Sequence, residues 1–324
     1  MNHSDLDENS IEASLLRYLR YEWKHATLQY ARPPQPIMGG FETSILNIHL
    51  QNPPQGIPET LIVRIFKQYT SPGTALRESI IQNAAAAAGV PAPQVFLSCS
   101  DSSVLGGEFN VMQYMSGKRM IDIHRDDNPE LLARSQNQLH TVDADPIINT
   151  LATHGFKEER FTLSGRLKWI QRQIREKECH WLHPNLTWLQ RNKPLIPKLV
   201  ICHGDFHPLN ILVDEGKISG ILDWSSFQIS DPAHDVASTK IIGSILAPVL
   251  VPGAIAPNYI ERYLATYQGL RPLDADKLQY FEVVRLIQGL LDGIDGQPIW
   301  RHHDIVTTIG TTLQAYTGLD ISIP

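Results

Sequence analysis

Short apolar runs separated by glycine and proline characterise the chain between about residues 37 and 115. Runs of this kind, bounded by turn-forming residues, are typical of β-strands. They occur at Ser44–Leu50, Leu61–Phe66, Val95–Ser98 and Phe109–Met115. The pattern predicts that these four segments are strands of one small sheet.

Two helices are predicted around this sheet. Apolar residues at helical spacing, behind the polar residues Asn9 and Ser10, predict an amphipathic helix from Ile11 to about Arg32. A second helix is predicted from Thr74 to Ala88, because Pro72 and Gly73 precede it and Gly89 follows it. The first part of the chain is therefore expected to combine a sheet with a few helices.

From Ser116 onward the pattern is mostly helical. The strongest helical segments are Leu131–Leu139, Leu163–Ile174, Tyr259–Tyr267, Asp276–Leu291 and Ile305–Tyr316. One exception is a β-hairpin pattern, with Asn210–Val213 and Ile218–Leu222 as strands and residues 214–217 as the turn. The second part is thus predicted to be a helical domain that contains one hairpin.

Composition narrows the class of protein. A chain of 324 residues, at roughly 150 residues per domain, allows one large or two modest domains. Its net charge of −6 disfavours nucleic acid as a partner. The most apolar stretch, Ile241–Ala256, is interrupted by Pro248 and Pro252, which argues against a membrane span. Three widely spaced cysteines suggest a reducing compartment and a cytoplasmic protein.

The hairpin carries the candidate chemistry. If its turn is centred near Glu215 and Gly216, Asn210 lies across from about Ile221, and Asp223 lies at the same open end with Asp205 in the preceding loop. Phosphoryl transfer needs oxygen ligands for Mg²⁺ and a carboxylate that accepts a hydroxyl proton. We therefore predict Asp205 as the catalytic base, and Asn210 and Asp223 as metal ligands.

Alternative interpretations use the same residues. Taken singly, Asp205 or Asp223 would be interpreted as a turn residue and Asn210 as a cap. The segment Gly204-Asp205-Phe206-His207 also resembles the opening of a metal-dependent phosphoesterase, although the further His and Asn ligands that such a site needs are missing downstream. A third hypothesis is a nucleotide-binding protein without catalytic activity. The presence of Asp205, Asn210 and Asp223 argues against it.

A family resemblance rests on residues 203–210 (His-Gly-Asp-Phe-His-Pro-Leu-Asn), Leu222-Asp223-Trp224 and residues 231–235 (Asp-Pro-Ala-His-Asp). These segments resemble the aminoglycoside phosphotransferase and choline kinase-like family. The resemblance implies an α+β, bilobal protein-kinase-like fold: residues 1–115 as a small β-sheet lobe that binds nucleotide, and residues 116–324 as a larger helical lobe for catalysis and substrate binding. It also implies that Asp235 anchors the catalytic loop and that His203 holds the loop without transferring protons.

One cation lies inside an apolar strand of the first lobe. Arg64 interrupts Leu61–Phe66, where an unpaired charge would be costly. The family places a Lys or Arg here to hold the nucleotide phosphates, paired with a Glu on the next helix, and Glu78 fits that position. Lys67 is the alternative cation, but it ends the strand and alternates onto the opposite face.

Two further nucleotide contacts are predicted in this lobe. Gly39 and Gly40, between two predicted strands, permit a close approach of backbone N–H groups to phosphates. By resemblance to the family, the segment around Gln113 and Met115 is the hinge whose backbone would hydrogen-bond a purine. An ordinary turn and an ordinary buried strand are the alternatives for these two segments.

Together these features predict a small-molecule kinase. It would transfer the γ-phosphoryl group of ATP or GTP, with Mg²⁺, to a hydroxyl of an aminoglycoside-, amino-alcohol- or sugar-like acceptor. The acceptor, the choice of ATP or GTP and the oligomeric state are left open by the sequence. Asp292, Asp295 and Asp304 would suit a cationic acceptor, although acids near helix ends are usually solvated.

Overall fold

The structure is a computed structural model that describes residues 10–37, 43–67 and 71–320. The chain divides into two compact units, Met1–Ser116 and Gly117–Pro324. The first contains an antiparallel sheet and the second is mainly helical. The predicted α+β fold class is therefore confirmed.

The sheet of the first unit has the strand order β1-β2-β3-β5-β4, and every neighbouring pair is antiparallel. Two helices accompany it within the described residues. The elements are α1 (Ile11–Glu22), β1 (Gln29–Ile37), β2 (Thr43–Gln51), β3 (Thr60–Phe66), α2 (Thr74–Ala87), β4 (Val95–Cys99) and β5 (Phe109–Gln113). All four predicted strands are present.

The prediction of the N-terminal helix was wrong at its end. The helix stops at Glu22 instead of about Arg32, and the chain then forms the edge strand β1. This strand contains Pro33, Pro34 and Pro36, which lack a backbone N–H and would normally argue against a strand. They are tolerated because β1 lies at the sheet edge and its pairing with β2 is interrupted by two register shifts.

The core of the first unit lies between α1 and the sheet. Leu15 and Leu19 of α1 are buried against side chains from β2, β3 and β5, including Ile48, Val63 and Val111. The side chain of Ser10 accepts a hydrogen bond from Ala13 N at 3.1 Å and so caps the helix start. Apolar burial therefore stabilises the sheet that carries Arg64 in β3.

The second unit has nine helices within the described residues: α3 (Asn128–Leu139), α4 (Asp145–Thr153), α5 (Leu163–Glu176), α6 (His183–Arg191), α7 (Pro232–Ile241), α8 (Ala247–Leu250), α9 (Tyr259–Leu270), α10 (Ala275–Ile294) and α11 (His303–Thr317). Its strands form two small sheets: β6 (Lys118–Arg119) with β8 (Ile211–Asp214) and β9 (Lys217–Ile221), and β7 (Val200–Cys202) with β10 (Gln228–Ser230). All five helices predicted from the apolar spacing are present, and α4, α6, α7 and α8 are additional to those five.

The long helix α10 packs against α5, α6, α7 and α11. Asp274 caps its start by accepting hydrogen bonds from Asp276 N and Lys277 N. Near its end, Gly289 and Gly293 lie against Trp300, and a Cβ added at Gly289 would come within 2.4 Å of the indole ring. Every helix of the described residues is too short or too polar to cross a membrane.

Candidate active site

The predicted hairpin is formed by β8 and β9. Glu215 and Gly216 at its turn have φ angles of 47° and 78°, the positive values that a tight hairpin turn requires. Ile211 pairs with Ile221, and the N–H of Leu222 donates to the carbonyl of Asn210 at 2.8 Å. Asn210 therefore lies across from Leu222, one residue from the predicted position near Ile221. Asn210 nevertheless lies at the same end of the hairpin as Leu222, which Asp223 follows.

Asp223 has an unusual backbone conformation. Its φ and ψ are 61° and 74°, in the left-handed region that non-glycine residues rarely adopt. Its exposed carboxylate accepts a hydrogen bond from the Ser225 hydroxyl at 2.8 Å, while the neighbouring Trp224 is buried and donates through Nε1 to Ile221 O. Strain of this kind is concentrated at functional sites. The backbone therefore presents the Asp223 carboxylate outward, from a fixed position beside the hairpin.

Asp205 and Asn210 are in direct contact. The Asn210 amide nitrogen lies 3.0 Å from both the backbone oxygen and Oδ2 of Asp205. His207 Nε2 lies 3.1 Å from the same Oδ2. Because a carboxylate only accepts, the amide and the imidazole both donate to it. With its nitrogen used in this way, Asn210 has its oxygen left for another ligand.

The environment of Asp205 favours its ionised form. Burial on its own would raise the pKa of this carboxyl, but the charge and hydrogen bond of His207, with the charge of Arg285, lower the pKa below its ordinary value. The side chain remains 31% exposed, so a substrate can reach it. A carboxylate with a low pKa is a weak base, which suits orienting a hydroxyl more than removing its proton completely.

His203 is fixed by hydrogen bonds at both ring nitrogens. Nε2 lies 2.9 Å from the carbonyl oxygen of Leu222, and the N–H of Asp205 lies 3.3 Å from Nδ1. The carbonyl can only accept, so Nε2 carries the proton and Nδ1 is the acceptor. Burial lowers the pKa of His203, against the opposing charges of Asp235 and Asp205. A neutral ring with both nitrogens engaged fits the predicted holding role.

Asp235, on α7, holds the backbone of the loop. It accepts hydrogen bonds from His203 N at 2.9 Å and Gly204 N at 2.7 Å. Ser238 and Thr239 of the same helix donate their hydroxyls to Gly204 O and Phe206 O at 2.8 and 2.7 Å. One helix therefore fixes several consecutive backbone groups around Asp205. The anchoring position expected for Asp235 matches this geometry.

His140, the residue that follows α3, completes this network and had no signal in the sequence. Its Nε2 lies 3.1 Å from Asp235 Oδ2, and its Nδ1 lies 2.5 Å from the hydroxyl of Tyr267. Although burial raises the pKa of Asp235, hydrogen bonding and charge from His140, together with His203 and Gly204 N, lower it to about 2. Asp235 is therefore a buried carboxylate that its partners keep ionised.

The first unit brings Arg64 and Glu78 together. Arg64 Nη1 on β3 lies 2.5 Å from Glu78 Oε1 on α2, and the two side chains are only 7% and 2% exposed. The guanidinium also lies over the Phe66 ring, with Cζ 5.1 Å from the ring centroid. Lys67, the alternative cation, is exposed. The ion pair with Glu78 therefore fixes the position of the Arg64 guanidinium beside the sheet.

The other predicted nucleotide contacts are at Gly39 and Gly40 and at Gln113 and Met115. Gly39 and Gly40 lie outside the described residues. Gln113 is the last residue of β5, and its N–H donates to Gln94 O at 2.8 Å. Met115 follows the strand and does not belong to it, contrary to the prediction that the strand continues to that residue.

The donor groups at the hairpin suit magnesium. Mg²⁺ prefers oxygen ligands and is commonly held by one or two carboxylates with water and substrate phosphates. The Asn210 amide oxygen and the Asp223 carboxylate are ligands of this type at one end of the hairpin. Neither at the hairpin nor elsewhere in the described ranges are three His, Cys, Asp or Glu side chains grouped so that they could hold a metal ion.

The arrangement of strands and helices, together with the loop and hairpin of the candidate site, is that of a protein-kinase-like phosphotransferase fold. A solved structure with this fold is a thermostable mutant of aminoglycoside phosphotransferase APH(4)-Ia, in a ternary complex with ADP and hygromycin B. It matches with a TM-score of 0.62 and 15% identity over 94% of this chain and 98% of that chain. At this identity the match shows a shared fold.

The model of the phosphotransferase enzyme family matches residues 35–275. The chain belongs to this family, which confirms the resemblance seen in the sequence. Acyl-CoA dehydrogenase family member 10 of Mus musculus is 27% identical over 237 residues, which are 66% of this chain and 20% of that protein. Aminoglycoside 3′-phosphotransferase of Streptomyces fradiae is 28% identical over 114 residues, 34% of this chain and 41% of that protein. The chain thus spans less than half the length of either relative.

Proposed function

We propose that this protein is a small-molecule kinase that transfers the γ-phosphoryl group of ATP or GTP to a hydroxyl of a small acceptor. The observation that carries the proposal is the contact between Asp205 and Asn210 at the end of the hairpin that leads to Asp223. It unites a hydroxyl-orienting carboxylate with oxygen ligands for a metal, which are the parts phosphoryl transfer needs.

Each residue has a defined role in this proposal. Asp205 accepts a hydrogen bond from the acceptor hydroxyl and directs its oxygen for in-line attack, while His207 and Asn210 hold the carboxylate in place. Asn210 and Asp223 hold Mg²⁺, which when bound offsets the negative charge of the phosphate oxygens. In the first unit, Arg64 contacts nucleotide phosphates and Glu78 fixes its orientation.

The relatives support the reaction class and suggest acceptors. The family is one of phosphotransferases, the Streptomyces fradiae relative is named for aminoglycosides, and the APH(4)-Ia complex contains ADP and hygromycin B. We therefore keep aminoglycoside-, amino-alcohol- and sugar-like compounds as candidate acceptors. The relative named acyl-CoA dehydrogenase family member 10 matches this chain over only one fifth of its own length. We therefore propose no dehydrogenation for this chain.

The test is nucleoside diphosphate release with Mg²⁺ and ATP or GTP across a panel of these acceptors. We expect at least one acceptor to stimulate release in the wild-type protein and not in the Asp205→Asn variant. Mg²⁺-dependent nucleotide binding is measured in parallel by the shift in melting temperature. Absence of both binding and release would contradict the proposal.

A further inference from the structure

Arg285, on α10, carries a positive charge that negative groups of the second unit balance only in part. Its Nη1 lies 3.7 Å from Asp292 Oδ2, which is longer than a hydrogen bond. Within the part of the chain that the structure describes, Nε and Nη1 are buried and have no hydrogen-bond partner. Because buried charged groups without full hydrogen bonding cost free energy, Arg285 suits a ligand that supplies a negative charge.

The guanidinium is held in one orientation. Its Cζ lies 4.5 Å from the centroid of the Trp300 ring, within the range of a cation–π interaction. Trp300 can lie against α10 at this point because Gly289 has no Cβ, which would otherwise come within 2.4 Å of the ring. The side chain of Arg285 is 13% exposed while Nε and Nη1 are buried, so Nη2 is the nitrogen left to contact a ligand.

Arg285 is also close to the catalytic loop. Helix α10 packs against α7, which carries Asp235, the anchor of that loop. After burial, the charges of Arg166 and Arg285 are among the causes that lower the pKa of His234 to about 4. His234 precedes Asp235 and lies edge-on to Phe281 of α10, with ring centroids 5.4 Å apart. Phe281 lies one turn before Arg285 on α10, so this contact places Arg285 near the segment that positions Asp205.

Two of the acids that would suit a cationic acceptor lie near a cation, and the third lies near a histidine. Asp292 faces Arg285, Asp295 is in contact with Lys177, and Asp304 Oδ2 lies 4.0 Å from His302 Nδ1. These contacts reduce the negative potential that an aminoglycoside with several ammonium groups would need. These three acids are therefore weak support for a cationic acceptor.

We propose that Arg285 binds a carboxylate or phosphate group of the acceptor whose hydroxyl Asp205 orients. This inference rests on the proposed function and specifies its substrate class: a hydroxyl compound that carries an anionic group. The acceptor oxygen forms a bond to the γ-phosphorus, the bond from that phosphorus to the bridging oxygen breaks, and the nucleoside diphosphate leaves. The hydroxyl proton passes by way of Asp205 to solvent. Arg285 binds the distant anionic group and takes no part in the bond changes.

The experiment measures nucleoside diphosphate release with matched acceptor pairs. Hydroxy carboxylic acids are compared with their methyl esters, and sugar phosphates with the parent sugars, so that the two series separate a carboxylate ligand from a phosphate ligand. Aminoglycosides and neutral amino alcohols complete the panel. We expect phosphorylation in one anionic series, with a KM at least about tenfold lower than for its neutral counterpart.

The variant Arg285→Gln identifies the residue responsible. We expect it to raise the KM for the anionic acceptor by about ten- to a hundredfold, and to leave the KM of the neutral counterpart and of the nucleotide unchanged. Arg285→Lys should recover part of the loss. Arg175→Gln, which removes an exposed arginine of α5, is the matched control and should behave as the wild type. Melting temperatures establish that each variant is folded.

Three results would overturn the inference. The first is that only cationic or neutral acceptors are phosphorylated. The second is that Arg285→Gln raises the KM for the nucleotide and not the KM for the acceptor. The third is that no anion-bearing compound is phosphorylated. The proposed function is judged separately, by the melting-temperature shift with Mg²⁺ and nucleotide and by Asp205-dependent transfer to any acceptor. It therefore stands if Arg285 proves to have no role in acceptor binding.

Discussion

The side-chain amide of Asn210 donates to Oδ2 of Asp205 at a distance of 3.0 Å. The residue proposed to hold magnesium thus also orients the residue proposed to receive the acceptor hydroxyl. An amide can serve both purposes because its nitrogen donates while its oxygen accepts or binds a metal. A carboxylate at position 210 would lose this double role and would repel Asp205.

Replacing Asp205 by Asn should lower kcat by about two to four orders of magnitude, the range typical for loss of a general base. The amide has nearly the same shape but cannot accept the hydroxyl proton. Nucleotide affinity should change little, since Asp205 is not proposed to contact nucleotide. Steady-state kinetics and nucleotide titration check both points. A kcat within tenfold of the wild type would remove Asp205 from this role.

Asn210→Ala and Asp223→Ala should differ in their response to magnesium. Both should lower the rate by about two orders of magnitude through weaker stabilisation of phosphate charge. A high Mg²⁺ concentration should restore Asp223→Ala in part. It should restore Asn210→Ala less, because that variant also loses the hydrogen bond to Asp205. Rates measured against Mg²⁺ concentration test this, and identical curves for the two variants would contradict it.

The loop and hairpin could be predicted because their signals are local. Asp214 to Lys217 contains a Glu-Gly pair that suits positive φ, and short apolar runs flank it on both sides. The edge strand β1 could not be predicted, because its three prolines are acceptable only where a strand has one partner. Edge position is a property of the folded sheet and leaves no mark in the local sequence.

His140 and Arg285, which lie around the loop, could not be predicted for a related reason. His140 lies 95 residues before Asp235, and the contact between them depends on the packing of α3 against other elements. Arg285 occurs on a helix where a charged residue ordinarily indicates a solvent-facing position. Only the folded structure shows that the Arg285 guanidinium packs against the Trp300 ring and that its Nε and Nη1 are buried.

Asp235 should make stability depend on pH in the acid range. Its pKa in the folded protein is about 2, below its ordinary value of 3.8, so its stabilising effect is complete above about pH 4 and is lost as the pH falls towards 2. The difference of about 2 pH units corresponds to about 2 kcal/mol.

The matching variant is Asp235→Asn. It should be destabilised at pH 7 by at least about 2 kcal/mol, since the N–H groups of His203 and Gly204 lose a charged acceptor. Its deficit relative to the wild type should shrink between pH 4 and pH 3. Urea unfolding at these pH values provides the measurement, with Asp320→Asn, an exposed acid, as control. A deficit that is constant with pH would refute the linkage.

The pair formed by Arg64 and Glu78 should separate stability from nucleotide binding. Arg64→Met should destabilise the protein by about 3 kcal/mol or more, because Glu78 then loses its buried cationic partner. The double variant Arg64→Met with Glu78→Leu should regain most of that stability. It should still show a nucleotide KM raised at least tenfold. Recovery of nucleotide affinity by the double variant would show that Arg64 is structural only.

The attachment of the loop to α7 makes the two segments a single unit of local opening. Backbone groups from His203 to Phe206 are bonded to Asp235, Ser238 and Thr239, so they become exposed to solvent only when the helix moves away. The amide hydrogens of His203 and Gly204 should therefore exchange with deuterium as slowly as those in the middle of α7. The position of Asp205 is thereby set by the slow motions of a buried helix, although its own side chain faces solvent.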